Sequence, residues 1–405
     1  MRKIAAVAVL LLSAYVGIGA GQVAVKPGGE KLADVIGRLQ GKGGDISFPC
    51  GSFEVDNTIT IAADGVALHG SGYCSQIRVM TNRDVFDVTK AFFVLEGFEI
   101  VIASPEDRTG AALVRGNGSQ GRLEHLRFTG SSKISNNGRV YYSDNQQGGL
   151  WSFFDLRFTG GATWQSFISL TSSTEKTVAS TRVMNVIGPP TFTDAAFDFN
   201  GAIDTFQITN LDLAMRAGHV FWLRNTVGSP IAPRWVFCTN CSIETRGTTA
   251  IQLDACRDFS YHGYISGADL AIAIGSGAVE TDFSHVVFAS MLKGAITIAA
   301  GSASTSITDN FFEDTTNAAA NQYNSITVAP GASNFQISGN LWRSTNRYKA
   351  HYAIALSPGP TGNYTITNNL IPNDSYATGA ASMGATGTGY VVSGNTGMVN
   401  KTDVK

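Results

Sequence analysis

A short phrase returns twelve times along this chain, and the distance of its return leaves few folds open. It reads apolar, one or two polar residues, a residue that is often Asn, then apolar, any, apolar. It first appears at 95–100 (LEGFEI) and last at 392–396 (VSGNT). Taking the residue after the Asn position as an anchor gives Phe98, Leu126, Leu156, Val186, Leu211, Cys241, Tyr264, Val286, Phe311, Leu341, Leu370 and Thr396. Successive anchors lie 22 to 30 residues apart. The local pattern has period two and is rich in Val, Ile, Phe and Thr, which is strand rather than helix. No leucine-rich or helical-repeat consensus fits this spacing. Strands with a nearly fixed return distance and no helical interludes stack in parallel, each coil advancing by one strand spacing of roughly 4.8 Å. The expected fold is all-β: a single-stranded, right-handed parallel β-helix with one coil for each return of the phrase.

The residue before the anchor is the more telling one. It is Asn185, Asn210, Asn240, Asn310, Asn340, Asn369 and Asn395 in seven coils, and Gly97, His125, Asp155, Gly263 and His285 in the other five. Asn and Gly tolerate the left-handed backbone of a sharp bend. Stacked coil on coil, such amides can also bond to one another as a ladder. His125 and His285 are accordingly read as bend residues rather than acid–base groups. The inward apolar residue precedes the anchor by three positions in the early coils and by four in several later ones. That predicts a change of bend length near Cys241.

The two ends differ. Arg2 and Lys3, an apolar run over 4–16, and the small residues Gly17, Gly19, Ala20 and Gly21 have the layout of a secretory signal peptide at 1–20. Residues 21–405 are then one β-helix domain, secreted to an extracellular, periplasmic or cell-surface location. No later segment is apolar and long enough to span a membrane. Over 30–40, Leu32, Val35, Ile36 and Leu39 stand at helical spacing, which predicts a helix covering the open edge of the first coil. No comparable lid is visible at the other end, which is read as frayed or covered by a partner chain. Monomer and homotrimer both stay open.

A net charge of −2, with 15% of residues charged, offers no general attraction to nucleic acid or to anionic membranes. Five cysteines in an exported chain point to disulfides. Cys50 and Cys74 are 24 residues apart, about one coil, and are expected to bridge neighbouring coils. Cys238, Cys241 and Cys256 are read as buried thiols, or as one bridge with a leftover thiol. A zinc site would want a second cysteine pair or paired histidines. No metal site is indicated, calcium stays open without a motif to hold it, and no other cofactor is identified.

One segment carries a resemblance. Gly43, Gly44, Ile46, Phe48, Pro49, Gly51 and Phe53, then the strand at 58–61 and the turn at 68–73, resemble the start of the pectate-lyase-like β-helix superfamily. Its members open with a helix followed by a "GG-x-I-x-F-P-x-G-x-F" strand. The resemblance implies a β-helix, and a polysaccharide or glycan as partner. It does not imply a reaction, since lyases, hydrolases, epimerases, tailspike depolymerases and non-catalytic surface proteins share the architecture. The hydrolases carry Asn-Thr-Asp, Asp-Asp, His-Gly and Arg-x-Lys in separate coils. Here His262–Gly263 matches, but the carboxylate-bearing pairs are missing, so a hydrolase is disfavoured.

Candidate chemistry is therefore sought on the surface rows of the solenoid. Arg127 and Arg157 belong to an exact repeat, LeuArgPheThrGly at 126–130 and 156–160, and should stack one coil apart facing outward. They are read either as a solvated cross-strand pair with Glu99 or as a clamp for sugar carboxylates. The excursion at 130–149 brings Lys133, Arg139, Tyr141, Tyr142 and Asp144 beside them. A uronate lyase must neutralise a carboxylate and remove the neighbouring proton, so Arg127, Arg157, Lys133 and Tyr142 are the catalytic candidates. Arg139, Tyr141 and Asp144 are candidates for binding. So are Arg347, Tyr348 and Lys349, in a second basic and aromatic cluster with Trp342, Arg343, His351 and Tyr352. The reading is a secreted, polysaccharide-active β-helix with lyase chemistry on acidic glycans; the alternative is a non-catalytic glycan-binding adhesin-like or tailspike-like protein.

Overall fold

The computed structural model describes residues 23–25, 30–39, 41–90, 92–117, 120–144, 150–173, 178–345, 348–386, 389–398 and 401–403. Its strands form one sheet wound into a right-handed parallel solenoid of about 12 turns. One turn consists of Phe86–Val88, Phe93–Glu96 and Glu99–Ile102, and the next of Ala112–Gly116, Gly121–Glu124 and Arg127–Thr129. Each strand pairs in parallel with its counterpart one turn on. Three stacks of strands result. We term face one the stack containing Phe93–Glu96, face two that of Glu99–Ile102, and face three that of Phe86–Val88.

Strand alternation sends every second residue inward, and parallel register stacks like on like. On face one the inward row runs through Ile46, Leu68, Leu95, Leu123, Phe153 and Val183, and it continues to Ile366 and Val392, all buried. In the later turns Phe288, Phe312 and Trp342 stack with ring centroids 4.8 and 4.6 Å apart. Such aromatic pairs contribute roughly 0.5–1.5 kcal/mol each beyond the area they bury.

The recurrent phrase is the corner between faces one and two. At 123–128, Leu123 points inward and Glu124 outward, His125 takes a left-handed φ of 51°, and Leu126 and Phe128 point inward around Arg127. The segment 307–312 repeats that geometry with Asp309 at φ 55° and Asn310, not an apolar residue, in the inward place after it. The expected change of bend length does not occur there; the asparagine moves instead. Asn185, Asn210 and Asn240 are themselves the left-handed residues, with φ of 57°, 56° and 55°, and are exposed. Later, Asp309, Gly339, Asn368 and Gly394 turn the corner, and Asn310, Asn340, Asn369 and Asn395 are buried. Phe311, Leu341, Leu370 and Thr396 consequently face outward rather than serving as inward anchors.

The expected change of bend length near Cys241 is met in one corner, which is shorter. Residues 261–263 match 238–241 of the preceding coil, and Gly263, at φ 150°, pairs with Cys241. The left-handed residue is missing, so Tyr264 also faces outward. The Tyr261 hydroxyl fills the space inside, 2.8 Å from the Cys241 carbonyl and 2.9 Å from that of Tyr264.

At the start, the helix spans only Leu32–Gly37 and buries Leu32, Val35 and Ile36 in the core shared with the coils. At the far end, Lys401–Asp403 returns antiparallel along Tyr390–Ser393, so a backbone strand lies where no lid was expected. The 1–20 segment lies outside the described residues. Cys50 and Cys74 are bonded across neighbouring coils, Cys238 and Cys241 are bonded across one corner, and Cys256 is a buried free thiol. Burial pushes that thiol well above its ordinary range. Among the described residues no helix is long and apolar enough to cross a membrane.

Candidate functional site

Register places Gln76, Glu99, Arg127 and Arg157 in one outward row of face two. Glu99 sits beside Arg127 in that row, yet it is held by other groups. Gln76 Nε2 donates to Glu99 Oε2 at 2.7 Å, and the Thr129 hydroxyl donates to Glu99 Oε1 at 2.9 Å. The Thr129 and Thr159 hydroxyls are 2.8 Å apart, extending this polar row. The Arg127 guanidinium lies 4.0 Å over the Tyr73 ring, and its buried Nε has no hydrogen-bond partner among the described residues. Arg157 is exposed. Among the described residues no carboxylate lies within ion-pair distance of either arginine. Two like charges one strand spacing apart are unfavourable without an anion over them.

The expected excursion at 130–149 is interrupted: 130–138 carries no strand, a strand follows, and 145–149 lies outside the described residues. Arg139–Asp144 is a regular strand of face three, paired on both sides. Alternation then divides its two tyrosines. Tyr141 is buried against Trp151 and Phe153, with centroids 4.6 and 5.4 Å away, and is corrected from a binding residue to a core residue. Tyr142 faces outward in a row with Asp87, Arg115, Ser169, Asp198 and Trp222. Tyr142 is therefore not beside Arg127 and Arg157: the chain has turned from face two to face three between them. Lys133 is exposed in the intervening turn.

Face three is rich in charge, and several of its charges pair with one another. Arg115 bonds to Asp144 at 2.8 Å and approaches Asp84 at 3.4 Å. The Tyr142 hydroxyl donates to the same Asp144 at 3.3 Å, and Arg139 covers the Tyr142 ring at 4.6 Å. Partial burial raises the Tyr142 phenol, with the Asp144 charge adding to it. Farther along, Arg224 reaches both oxygens of Asp198 at 2.9 and 3.0 Å while stacking on Trp222 at 3.9 Å. Asp198 is nevertheless raised, because desolvation outweighs the attraction of Arg224.

The second cluster also comes apart. Trp342 is a core residue stacked on Phe312, so it offers no face to a sugar. Arg343 is paired with Glu313, and His351 lies on Tyr352 at 4.3 Å. Tyr348 and Lys349 are half-buried, and Arg347 lies outside the described residues. Arg347, Tyr348 and Lys349 do stand at the Arg-x-Lys spacing, a second hydrolase motif beside His262–Gly263. At His262, however, Ser284 at 3.0 Å, Ser260 at 3.2 Å and Asp282 at 3.4 Å all meet the same nitrogen, Nε2. A nucleophile–base–acid relay needs the acid on the opposite nitrogen.

Tyr73, Arg115, Asp198, Trp222 and Arg224 were not singled out from the sequence, nor was a row of His69, Glu96 and Glu124 leading to the His125 corner. Residues one coil apart were the available signal, but only where the register is already known.

No family model matches the sequence, and no curated protein does. Solved structures share the architecture. The A-module of a mannuronan C-5 epimerase from Azotobacter vinelandii is 11% identical, with a TM-score of 0.45 over 92% of this chain and 97% of that one. An alginate lyase bound to a trisaccharide is 10% identical, with a TM-score of 0.48 over 86% and 85%. PfbA, a surface adhesin of Streptococcus pneumoniae, is 11% identical, with a TM-score of 0.43 over 91% and 93%. At these values the likeness is one of architecture alone.

Proposed function

We propose that this is an exported protein acting on acidic polysaccharide, which it grips on face two, and that its reaction is a lyase-type elimination. The observation that carries this is the Arg127–Arg157 pair: in register, outward and, among the described residues, without a carboxylate partner, while the adjacent Glu99 is engaged elsewhere. Such a pair fits the carboxylates of successive or single uronate residues through forked, charge-assisted hydrogen bonds. Elimination removes the proton beside the carboxylate, breaks the glycosidic C–O bond and leaves an unsaturated uronate, with the leaving oxygen reprotonated. The arginines would stabilise the charge that builds on the carboxylate in the transition state. Tyr73, fixed under Arg127, is the phenol positioned to move the proton. Lys133, at the exit of the same strand, extends the basic surface. Export rests on the 1–20 segment.

A non-catalytic glycan-binding role is favoured by one observation. Tyr142, the other candidate for proton transfer, stands on face three, bonded to Asp144 and away from the arginine pair. Incubation with a panel of uronate polymers separates the readings. Ultraviolet absorbance from unsaturated ends supports elimination; retention on the polymer without absorbance or new reducing ends supports binding alone. Replacing Arg127 and Arg157 together by Ala should lower retention and turnover at least ~100-fold, taking one to two factors of ten per lost charged contact. Tyr142→Phe should change neither. Retention unaltered in the double variant would discard face two.

A further inference from the structure

Face two carries a third arginine, which the grip of Arg127 and Arg157 leaves unused. The second outward row of this face runs through Glu54, Arg78, Val101 and Thr129. Arg78 stands two coils before Arg127 and one outward position further along the strand, with about 12 Å between their Cα atoms. Its Nε is buried and has no hydrogen-bond partner among the described residues. Nor, among those residues, does a carboxylate lie within ion-pair distance of it, its register neighbour Glu54 included. A buried guanidinium nitrogen without an acceptor is unfavourable, and a ligand anion supplies one. Between Arg78 and Arg127 the surface changes character. Val101 is uncharged, and Glu99, two residues before it, is a carboxylate already engaged by Gln76 and Thr129. A further anion placed there is repelled.

The Arg78 strand leads into a cleft. Where three coils leave face two, the turns at 56–57, 80–83 and 104–106 line a space of about 300 Å³, and Met80, two residues after Arg78, is part of its wall. That is the lower end of the range for small-molecule sites and suits a single sugar ring. Its chemistry differs from that of the arginines. Asp56 is held by Lys31 at 2.7 Å, and Glu106 accepts from Asn82 Nδ2 at 2.5 Å. With Lys31 behind the wall and Arg83 within it, these two carboxylates leave the cleft no cation to spare. An entering carboxylate gains no net attraction there. A hydroxyl-bearing ring instead meets the amides of Asn57 and Asn82 and the hydroxyls of Thr81 and Ser104. We infer that the polysaccharide runs obliquely across face two, with Arg78 taking a second carboxylate beyond the one held by Arg127 and Arg157. An uncharged sugar lies between them over Val101, and another sits in the cleft. The substrate class is then an acidic heteropolysaccharide in which uronates alternate with neutral sugars, rather than a chain of uronates alone. This rests on face two being the glycan grip.

The test is retention of the full chain on two sets of immobilised polymers. One set holds homopolymers of uronate such as polygalacturonate; the other holds alternating chains such as hyaluronate, in which every second sugar is uncharged. The alternating set should be held at least ~10-fold more tightly, and Arg78→Gln should weaken that retention at least ~10-fold, the loss of one charge-assisted contact. Asn82→Ala, at an exposed position, should weaken the alternating set by about 3- to 10-fold and leave the homopolymers as they were. Asn57→Ala, also exposed, checks that result from another coil of the cleft. Three outcomes overturn the inference while retention still vanishes in the Arg127, Arg157 double variant: homopolymers held as tightly as alternating chains, Arg78→Gln without effect, or cleft variants that weaken both sets alike. Retention that survives the double variant, or none by the unaltered chain, removes the face-two grip itself and the inference with it.

Discussion

The coils before Cys241 and those after Phe283 turn the same corner with the same left-handed residue, yet they use asparagine in opposite ways. In the early coils the amides project into solvent, each Nδ2 donating back to the preceding coil: Asn240 to Asn210, and Asn210 to Asn185. In the later coils the amides point inward and donate forward, Asn310 to Asn340, Asn340 to Asn369 and Asn369 to Asn395. They do more than pair. Asn340 Oδ1 also accepts the backbone N–H of Asn310, and Asn340 Nδ2 also donates to the Ile307 carbonyl. Both donors and both acceptor sites of the amide are used, which is what allows it to replace Leu126 or Leu211 at an inward position. The lesson is that a stacked amide row has no fixed energetic value. Water can replace a broken bond on the outside, and nothing can on the inside.

The largest effect should therefore come from Asn340→Ala. It strips a buried N–H and a buried carbonyl of their partners, at about 1–3 kcal/mol each, and opens a small cavity. A destabilisation of about 3–5 kcal/mol is expected from the midpoint of denaturant unfolding, using the unfolding slope of the unaltered chain. Exchanging all four buried asparagines for Leu sharpens the point. The amide–amide donors and acceptors go together and no cavity opens, so the cost per site should fall below that of Asn340→Ala, while each site still unpairs a backbone N–H and a carbonyl. A cost that simply quadruples would show that the stripped backbone groups, rather than the amide–amide bonds or the cavity, set the loss.

Much of this was legible in the sequence, and the part that was not has a physical explanation. Period two, the return distance and the bend residues define the solenoid without long-range information. The inward slip of asparagine was also written there, since the segments at 309–310, 339–340, 368–369 and 394–395 each place a residue tolerant of the left-handed bend directly before the Asn. Reading Asn as the bend residue throughout hid this and turned an unchanged corner into an apparent change of length. The site was less legible because faces are set by where strands end, not by proximity in sequence. Tyr142 is 15 residues after Arg127 and on another face, whereas Tyr73 is 54 residues before it and lies under its guanidinium. Sugar-facing and core-facing aromatics look alike until alternation is fixed, as Tyr141 and Trp342 show.

The two regions differ on the outside of face three as well, and pH exposes it. The row that holds Asp198 and Trp222 continues into Thr297, Thr327, Ala355 and Ser382, none of which carries a charge. Asp198 has a folded pKa above its unfolded value, so the fold binds its proton more tightly than the unfolded chain does. Its contribution is favourable at low pH and is lost as pH climbs from the ordinary carboxyl range through the raised value. Asp198→Asn should flatten that part of the stability profile, followed by denaturation midpoints at a series of pH values. An unchanged slope would move the sensitivity elsewhere.

The smallest effect tests the comparison from the exposed side. Asn210→Gly removes the links to Asn185 and Asn240 but keeps a residue that accepts the left-handed backbone, so stability should move by no more than about 0.5 kcal/mol. Asn210→Ala loses the same side-chain bonds and keeps a Cβ at the left-handed φ without the polar group that makes it tolerable, for about 1–2 kcal/mol. The gap between these two variants measures the backbone alone, and the glycine value measures the exposed ladder alone. If Asn210→Gly costs as much as Asn340→Ala, burial is not what distinguishes the two ladders. The early corner would then be held by its amides as firmly as the late one.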